Sequence, residues 1–143
     1  HFILHRSPNY INWRYLDARG GDYKVRVVKD NIEIIGYSVL RINKLEYYHS
    51  GYFVDLLVLP GRLDIVEALL LDGLCFFREN QVNLVLYQVL ENHPYERLFD
   101  KYGFYGGEGN RHIFYNNFGN DELRLEDSPP ERIHFPFGDL TGI

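Results

Sequence analysis

Apolar residues recur along this chain at spacings that change from helical to strand-like. In segment 8–16, Ile11 and Tyr15 lie four residues apart, which predicts one short helix with both side chains on the same face. Between 23 and 41, apolar and polar positions alternate on both sides of a turn at 29–31. Alternation with a period of two around a turn predicts an antiparallel hairpin.

Two near-continuous apolar runs, 51–59 and 82–90, predict strands that are covered on both faces. Between them lies a helical pattern over about 65–79, and Asp64 and Glu67 have the spacing of a capping box at its start. A strand–helix–strand connection within one sheet returns the second strand parallel to the first. We therefore expect a parallel strand pair in the middle of an otherwise antiparallel sheet.

The last third of the chain predicts one more helix and two late strands. Pro94 suits the first position of the helix, and Gly103 suits the residue just after its end. Strands are predicted at 113–118 and 132–137, separated by the polar, acidic stretch 119–130. The whole pattern predicts an α/β domain of the α+β kind, with a mixed sheet and flanking helices.

The composition is that of one globular domain and excludes several classes of partner. The chain has 143 residues, a net charge of −5 and no basic run, so nucleic acid is not an expected partner. Its longest apolar stretch, 69–77, is interrupted by Asp72 and is too short to cross a bilayer, so no membrane is expected. The one cysteine, Cys75, cannot form an internal disulfide, which predicts a buried structural thiol and a cytoplasmic location.

Three stretches resemble the GNAT family of acyl-CoA acyltransferases. The hairpin 25–37 ends in a sequence similar to the family's I-V-G-Y, and the strand 55–60 resembles the family's central strand, which ends in V-x-P. The stretch 92–104, NHPYERLFDKYGF, resembles the family pattern N-x-x-A-x-x-L-Y-E-K-x-G-F at matching spacing and is the most specific of the three. The likeness covers roughly residues 23–118.

The resemblance implies the GNAT fold in one domain over 1–143, with a core of about 22–118. It also implies a sheet that splays between the strand at 53–59 and the strand at 82–90. The chain begins with His1 and contains no methionine, which predicts a piece of a longer protein, such as the C-terminal half of a tandem GNAT protein. Preceding residues could then supply part of the active site.

The resemblance further implies transfer of an acyl group, expected to be acetyl, from CoA to an amine on a small molecule or peptide. Acetyl-CoA would lie in the splay, with its pantetheine along the central strand and its pyrophosphate on the N–H groups that begin the next helix. The residues expected to hold it are Leu57, Val58, Leu59, Gly61, Arg62 and Asn92. Asp55 is the expected general base.

Some of these residues have alternative interpretations. A salt bridge to Arg14 or Arg41 would also explain Asp55, because a buried carboxylate needs a partner. Asn92 could cap the third helix instead of binding CoA. His93 could act as an acid or base, because histidine titrates near neutrality, but the preferred interpretation is a surface residue in the first turn of that helix.

Two departures from the family pattern support a second hypothesis. The phosphate loop is shorter than the family's and has one glycine, Gly61, and Asp64 as a helix N-cap would occupy the N–H groups that pyrophosphate needs. Phe99 stands where the family has a tyrosine that protonates the departing thiolate. The alternative function is a degenerate GNAT-fold module that does not bind CoA and binds a substrate or partner instead.

The abundant aromatic residues predict a cleft on the acceptor side of the splay. Tyrosine offers an apolar face and one hydroxyl, which suits a sugar amine or an aminoacyl group. The residues expected to border this cleft, which should also expose Asp55, are Tyr37, Tyr47, Tyr48, Tyr52, Phe53 and Tyr87. Of these, Tyr37, Tyr52 and Tyr87 are the expected substrate contacts, and core packing is the alternative. The histidines show no metal-ligand spacing, so no metal is expected.

Overall fold

The computed structural model describes residues 2–3, 5–106 and 127–139 of the chain. Its strands are β1 (Phe2–Ile3), β2 (Tyr23–Asp30), β3 (Glu33–Lys44), β4 (His49–Val58), β5 (Leu84–Tyr87) and β6 (Ile133–His134). Its α-helices are α1 (Pro8–Ile11), α2 (Leu63–Glu79) and α3 (Pro94–Lys101). A π-helical turn at Asn12–Leu16 continues α1, and 3-10 turns lie at Ala18–Gly20, Pro130–Arg132 and Phe137–Asp139.

Four strands form one open mixed sheet in the order β2-β3-β4-β5. β2, β3 and β4 pair antiparallel, whereas β4 and β5 pair parallel, with residues 50–53 alongside 84–87. β5 ends at Tyr87 but β4 continues to Val58, so the two strands separate after Phe53. The predicted splay and the crossover helix between its strands are therefore confirmed.

A β-bulge lies where β4 leaves β5. Val39 of β3 pairs with Asp55, and its neighbour Leu40 pairs with Phe53, so Val54 is an extra residue on β4. A bulge leaves the extra residue unpaired and bends the strand. As a result, Val54 and Asp55 both lie on the sheet face opposite Phe53.

The sheet buries a different core on each face. α2 and α3 cover one face, which we call the α2/α3 face. Its buried residues are Leu40, Phe53, Leu56, Val66, Leu69, Leu70, Phe77, Tyr95 and Phe99. α1 and its π-helical turn cover the other, which we call the α1 face, and the buried cluster there is Tyr15, Tyr23, Val39 and Val54. Two covered faces explain why the sequence of β4 is nearly continuous in apolar residues.

The ends of the described chain meet on the α1 face. β1 and β6 form a short parallel pair, in which Phe2 is opposite Ile133. The predicted strand at 132–137 is thus wrong in length, because only Ile133–His134 is extended and paired before the 3-10 turn at Phe137–Asp139. The predicted strand at 113–118 lies outside the described residues.

Three further local predictions need correction. α2 begins at Leu63, so its N-cap residue is Arg62 and not Asp64. The strand predicted at 82–90 is reduced to the four residues of β5, because its partner β4 diverges from it. Cys75 is half-buried and not enclosed, and its Sγ lies 3.5 Å from a carboxylate oxygen of Glu79 on the next turn of α2.

Neither a membrane-spanning helix nor a metal-binding cluster is found among the described residues, 2–3, 5–106 and 127–139. No helix there combines the length and apolar character needed to cross a membrane. No group of three or more His, Cys, Asp or Glu side chains there is placed to hold a metal ion.

Candidate functional site

Asp55 lies at the start of the splay, at the centre of a polar network on the α1 face. Its side chain is fully buried. Its Oδ2 accepts hydrogen bonds from Nε of Arg6 (3.0 Å) and from the hydroxyl of Tyr37 (2.9 Å). Its Oδ1 lies 2.8 Å from Nε2 of His134, and the hydroxyl of Tyr15 adds a longer contact of 3.4 Å to Oδ2. Both carboxylate oxygens are therefore occupied by partners from other parts of the chain.

These partners keep Asp55 ionised. Burial alone would raise the pKa of this carboxyl, but the hydrogen bond from His134 and the positive charge of Arg6 outweigh burial and hold the pKa below its usual range. The pKa values of the neighbouring tyrosine hydroxyls change in the opposite direction. The pKa of Tyr37 and that of Tyr15 are raised, first by burial and then by the negative charge of Asp55.

Arg6 links β4 to both ends of the described chain. Its Nη2 lies 2.8 Å from a carboxylate oxygen of Asp139, and the two side chains are only 7% and 5% exposed. The partners predicted for the buried carboxylate of β4, Arg14 and Arg41, are wrong. Their guanidinium groups donate to the hydroxyl of Tyr23 instead.

A C-terminal segment crosses the splay on this face. His134 binds the Asp55 carboxylate on β4, and the carbonyl of the next residue, Phe135, accepts a 3.0 Å hydrogen bond from Nε2 of Gln88, just beyond β5. Residues 134–135 therefore bridge the two strands at the point where they separate. The pattern of the sequence alone did not place this segment here.

Alternate backbone groups of β4 face into the splay. The N–H of Leu59 donates to the carbonyl of Ile35 on β3 at 3.0 Å. Because peptide groups alternate in direction along a strand, Leu57 also faces β3, whereas the N–H and C=O groups of Leu56 and Val58 face the splay. Of the three predicted CoA-pairing positions on this strand, only Val58 therefore has its own peptide groups directed into the gap.

Tyr95 occupies this part of the splay. Its side chain is nearly buried, and Val58 packs against the same core cluster. Burial raises the pKa of Tyr95 to about 12, although the nearby backbone of Val58 acts in the opposite direction. Tyr95 stands at the alanine position of the family pattern that 92–104 resembles, so a large ring replaces a small side chain. This departure is visible in the sequence itself, at the fourth position of the stretch 92–104.

Aromatic rings fill the α2/α3 side of the splay behind Tyr95. Phe99 stacks on Tyr87 with ring centroids 4.1 Å apart and planes 17° apart. Both rings meet Phe53 edge-on, at 5.6 and 6.1 Å respectively. Phe99 has no hydroxyl, so this position supplies no proton donor.

The start of α2 is open and polar. Gly61 has a φ of +79°, and a Cβ at that position would meet nothing within 4 Å. The guanidinium of Arg62 binds the carboxylate of Asp64 through two contacts, of 2.6 and 2.9 Å. This pairing, with help from the N–H groups of Asp64 and Ile65, lowers the pKa of Asp64. The negative charge expected at the helix start is present, but Arg62 balances it.

The residue that caps α3 is His93 and not Asn92, and the exposed residue is Asn92 and not His93. His93 is the N-cap of α3, with Nδ1 accepting from the N–H of Tyr95 at 3.2 Å, and it is buried, so the prediction of a surface histidine is wrong. Asn92 is exposed, and its backbone N–H donates to Glu96 at 2.7 Å. Burial lowers the pKa of His93 to about 4.

The predicted tyrosine cleft does not form. Tyr37 and Tyr52 pack on the α1 face, whereas Tyr87 packs on the α2/α3 face. Alternation along the strands sends these side chains in opposite directions, and Asp55, which the cleft was to expose, is fully buried. Tyr47, beyond the end of β3, is 88% exposed. The hypothesis of converging hydroxyls around an exposed Asp55 is therefore wrong.

Comparison with known proteins assigns the fold. No family model matches the sequence, and no curated protein matches it. Several solved structures are similar. An acetyltransferase from Trypanosoma brucei is 19% identical with a TM-score of 0.60, over 75% of this chain and 76% of that chain.

Two further structures share this fold. An aminoglycoside acetyltransferase from an uncultured soil metagenomic sample, solved in complex with trehalose, is 18% identical with a TM-score of 0.58, over 80% of this chain and 76% of that chain. A tetramutant protein from Bacillus halodurans is 20% identical with a TM-score of 0.56, over 68% and 69% of the two chains. The chain therefore has the fold of the GNAT-type acetyltransferases.

Proposed function

We propose that this chain is an acyl-CoA-dependent N-acyltransferase, with acetyl-CoA as the simplest donor and an amine as the acceptor. The observation that carries this proposal is the splayed pair of β4 and β5, with a bulge at Val54 and the peptide groups of Leu56 and Val58 directed into the gap. The fold that the chain shares with solved acetyltransferases supports it. Acyl-CoA bound in the splay would supply a thioester whose carbonyl carbon accepts the amine.

Tyr95 controls access to this groove. Its ring must turn away from Val58 before pantetheine can pair with the strand, because the buried Tyr95 side chain lies beside that backbone. The binding energy of a large ligand would have to supply the cost of this movement. Asn92, exposed at the start of α3, is the proposed side-chain contact for pantetheine.

The open start of α2 suits the pyrophosphate. The space above Gly61 allows a phosphate to approach the backbone closely. Arg62 would exchange the Asp64 carboxylate for a phosphate oxygen, which its planar guanidinium can bind through two hydrogen bonds. The N–H groups at the start of α2 add the partial positive charge of a helix N-terminus.

The backbone N–H of Leu56 and the carboxylate of Asp55, both on β4, would play different roles in the reaction. The N–H of Leu56, which faces the splay, can stabilise negative charge that develops on the thioester oxygen. Asp55 was the predicted general base. Its full burial and lowered pKa favour a positioning role instead, because a base works best with a pKa near the working pH and within reach of the proton.

Calorimetric titration with acetyl-CoA tests the proposal. We expect binding by the wild-type chain and a loss of about tenfold in affinity for Arg62→Ala, since tenfold corresponds to the roughly 1.4 kcal/mol of a charge-assisted hydrogen bond. Arg19→Ala removes another exposed arginine with an acidic neighbour, Asp17, and should bind normally. Neither heat nor a thermal shift with ligand near millimolar would contradict the proposal.

A second function, a GNAT-fold module that does not bind CoA, is favoured by the rings that close the splay. In that case the Tyr95–Val58 contact is permanent, and the ligand binds elsewhere. An open cavity of about 600 Å³ beside β3 is lined by Lys24, Arg41 and Lys44 and by Asp22, which pairs with Lys24. Arg41 and Lys44 are the groups there that suit an anionic partner. The two functions differ in one result: a module binds acetyl-CoA only after Tyr95→Ala, whereas an acyltransferase binds it without the substitution.

A further inference from the structure

His134 lies where β4 and β5 separate, on the α1 face of the sheet. The segment that carries it bridges β4 and Gln88 on the α1 face, opposite the face that α2 and α3 cover. The side chain of His134 is 13% exposed, whereas that of Asp55 behind it is 0% exposed. Of this pair, the imidazole and not the carboxylate therefore has an edge within reach of a ligand.

The geometry of the pair fixes which imidazole nitrogen can react. Nε2 of His134 lies 2.8 Å from Oδ1 of Asp55. An ionised carboxylate accepts hydrogen bonds but cannot donate one, so the hydrogen of this bond belongs to Nε2. In the neutral imidazole the lone pair is then on Nδ1, the nitrogen that points away from Asp55.

The carboxylate that orients the imidazole is itself fixed. Arg6 and Tyr37 hold its Oδ2 at 3.0 and 2.9 Å, and Tyr15 contacts the same oxygen at 3.4 Å. Asp55 therefore cannot turn away without breaking several buried hydrogen bonds. This holds the imidazole of His134 in one orientation before any substrate arrives.

Buried charges lie beside the pair. Arg6 contacts both Asp55 and Asp139, so these three side chains carry one positive and two negative charges. An imidazolium formed during the transfer would be ion-paired with Asp55. The neighbouring His93 adds no competing charge near pH 7, because burial lowers its pKa to about 4.

We propose that His134 is the general base of the acyl transfer and that Asp55 is its positioning residue; this inference rests on the proposed function. As the amine nitrogen bonds to the acyl carbon, its proton passes to Nδ1 of His134. The carbon–sulfur bond breaks, the thiolate of CoA leaves with the electron pair, and the imidazolium returns the proton to that sulfur. Neither the sequence pattern nor the family resemblance pointed to His134, because it lies far outside the matched motifs.

The first test needs no substrate. Nitrogen-15 NMR of the imidazole in the ligand-free chain should show His134 as the tautomer with hydrogen on Nε2, at a pH where the ring is neutral. Asp55→Asn should relax this preference, because an amide can either donate or accept. Hydrogen on Nδ1 in the wild-type chain would overturn the proposal without any bearing on CoA binding.

The second test measures turnover of acetyl-CoA with tyramine and with glucosamine as probe amines. His134→Gln keeps a donor towards Asp55 but has no basic nitrogen, so kcat should fall on the order of 10²- to 10⁴-fold with the KM for acetyl-CoA unchanged. In His134→Gly, added imidazole should restore part of the rate. His49→Gln, a half-buried histidine at the far end of β4, is the matched control and should keep the wild-type kcat.

The outcomes separate this inference from the proposed function. If His134→Gln still binds acetyl-CoA and keeps the wild-type kcat, His134 is not the general base, but the proposed acyltransferase function is unaffected. Failure of the wild-type chain to bind acetyl-CoA overturns both. If acetyl-CoA binds but neither amine reacts, release of CoA by water becomes the readout, since the same base would take the proton from water. Equal hydrolysis by the wild type and His134→Gln then overturns the proposal.

Discussion

The two faces of β4 bury side chains of opposite chemistry within three residues of each other. On the α2/α3 face, Phe53 and Leu56 lie among rings and aliphatic groups. On the α1 face, Asp55 lies among Arg6, Tyr37 and His134. Apolar burial is non-directional and roughly proportional to area, whereas a buried charge depends on each individual partner. The first face therefore accounts for most of the packing, and the second fixes geometry at the mouth of the splay.

The largest expected effect comes from removing the cation of the polar face. Arg6→Ala leaves Asp55 and Asp139 buried without their shared counter-charge, and breaking a buried pair in this way costs about 3–5 kcal/mol of the free energy of unfolding. Urea denaturation of the two chains gives the difference. Arg19→Ala, which breaks only an exposed pair with Asp17, should change stability little.

A loss for Arg6→Ala no larger than that for Arg19→Ala would contradict the comparison. It would mean that the Asp55 network is solvated and that the α1 face needs no specific partner.

The next effect tests how tightly the apolar face is packed. A Cβ at Gly73 of α2 would lie 2.5 Å from the ring of Phe53. Gly73→Ala should therefore cost about 1–3 kcal/mol by overpacking, although Gly→Ala inside a helix ordinarily stabilises by roughly 0.5–1 kcal/mol. Gly106→Ala, where a Cβ meets nothing within 4 Å, is the control. A gain in melting temperature for Gly73→Ala would show that α2 can move away from the sheet.

A pH effect of similar or smaller size is expected at the base of α3. The pKa of His93 is depressed from 6.5 to about 4, so its contribution to stability is complete above pH 6.5 and is lost as the pH falls towards 4. The unfolded chain binds the proton first, which predicts a loss of about 1–3 kcal/mol across this window. His93→Asn keeps an N-cap side chain without a titrating group, so this slope should disappear.

The Asp55 carboxyl should contribute in a separate window. Its folded pKa is lowered, so its stabilisation is present above its unfolded pKa and is lost as the pH falls below that value. If the slope between pH 6.5 and 4 persists in His93→Asn, a group other than this helix cap causes it.

The smallest expected effect comes from removing one hydroxyl from the splay. Tyr95→Phe keeps the ring in the apolar core but removes the polar group beside the backbone of Val58, so stability should fall by no more than about 1 kcal/mol. If pantetheine pairs with the same backbone, acetyl-CoA affinity should rise by roughly fivefold, because the competing hydroxyl is gone. Weaker acetyl-CoA binding by Tyr95→Phe would show that the hydroxyl helps the ligand and does not exclude it.

The sequence predicted the apolar face far better than the polar one. The periodicity of 51–59, 65–79 and 92–104 was sufficient to place β4, α2 and α3, because those elements bury continuous stripes. The residues that contact Asp55 do not recur at a regular spacing in the sequence, so periodicity could not identify them. Arg6 and His134 lie 49 and 79 residues away from it in sequence, and the pairing of β1 with β6 brings their segments together.

Local chemistry explains the other misses. The spacing of Asp64 and Glu67 suggested a capping box, but the exposed ion pair with Arg62 lets the helix begin at Leu63 without a side-chain cap. The bulge at Val54 could not be predicted, because one extra apolar residue does not change the sequence pattern of a strand that is apolar throughout. Without this bulge, alternation would place Asp55 on the same face as Phe53, whereas the structure has it on the opposite face.

Residue-resolved NMR during an acetyl-CoA titration tests the central claim most directly. If the splay is the acyl-CoA groove, the backbone amides of Leu56 and Val58 should show the largest shifts, with Gly61 and Arg62 at the start of α2 following at the same ligand concentrations. Unchanged amides at Leu56 and Val58 would contradict the claim, whether the shifts appear instead around the cavity beside β3 or do not appear at all.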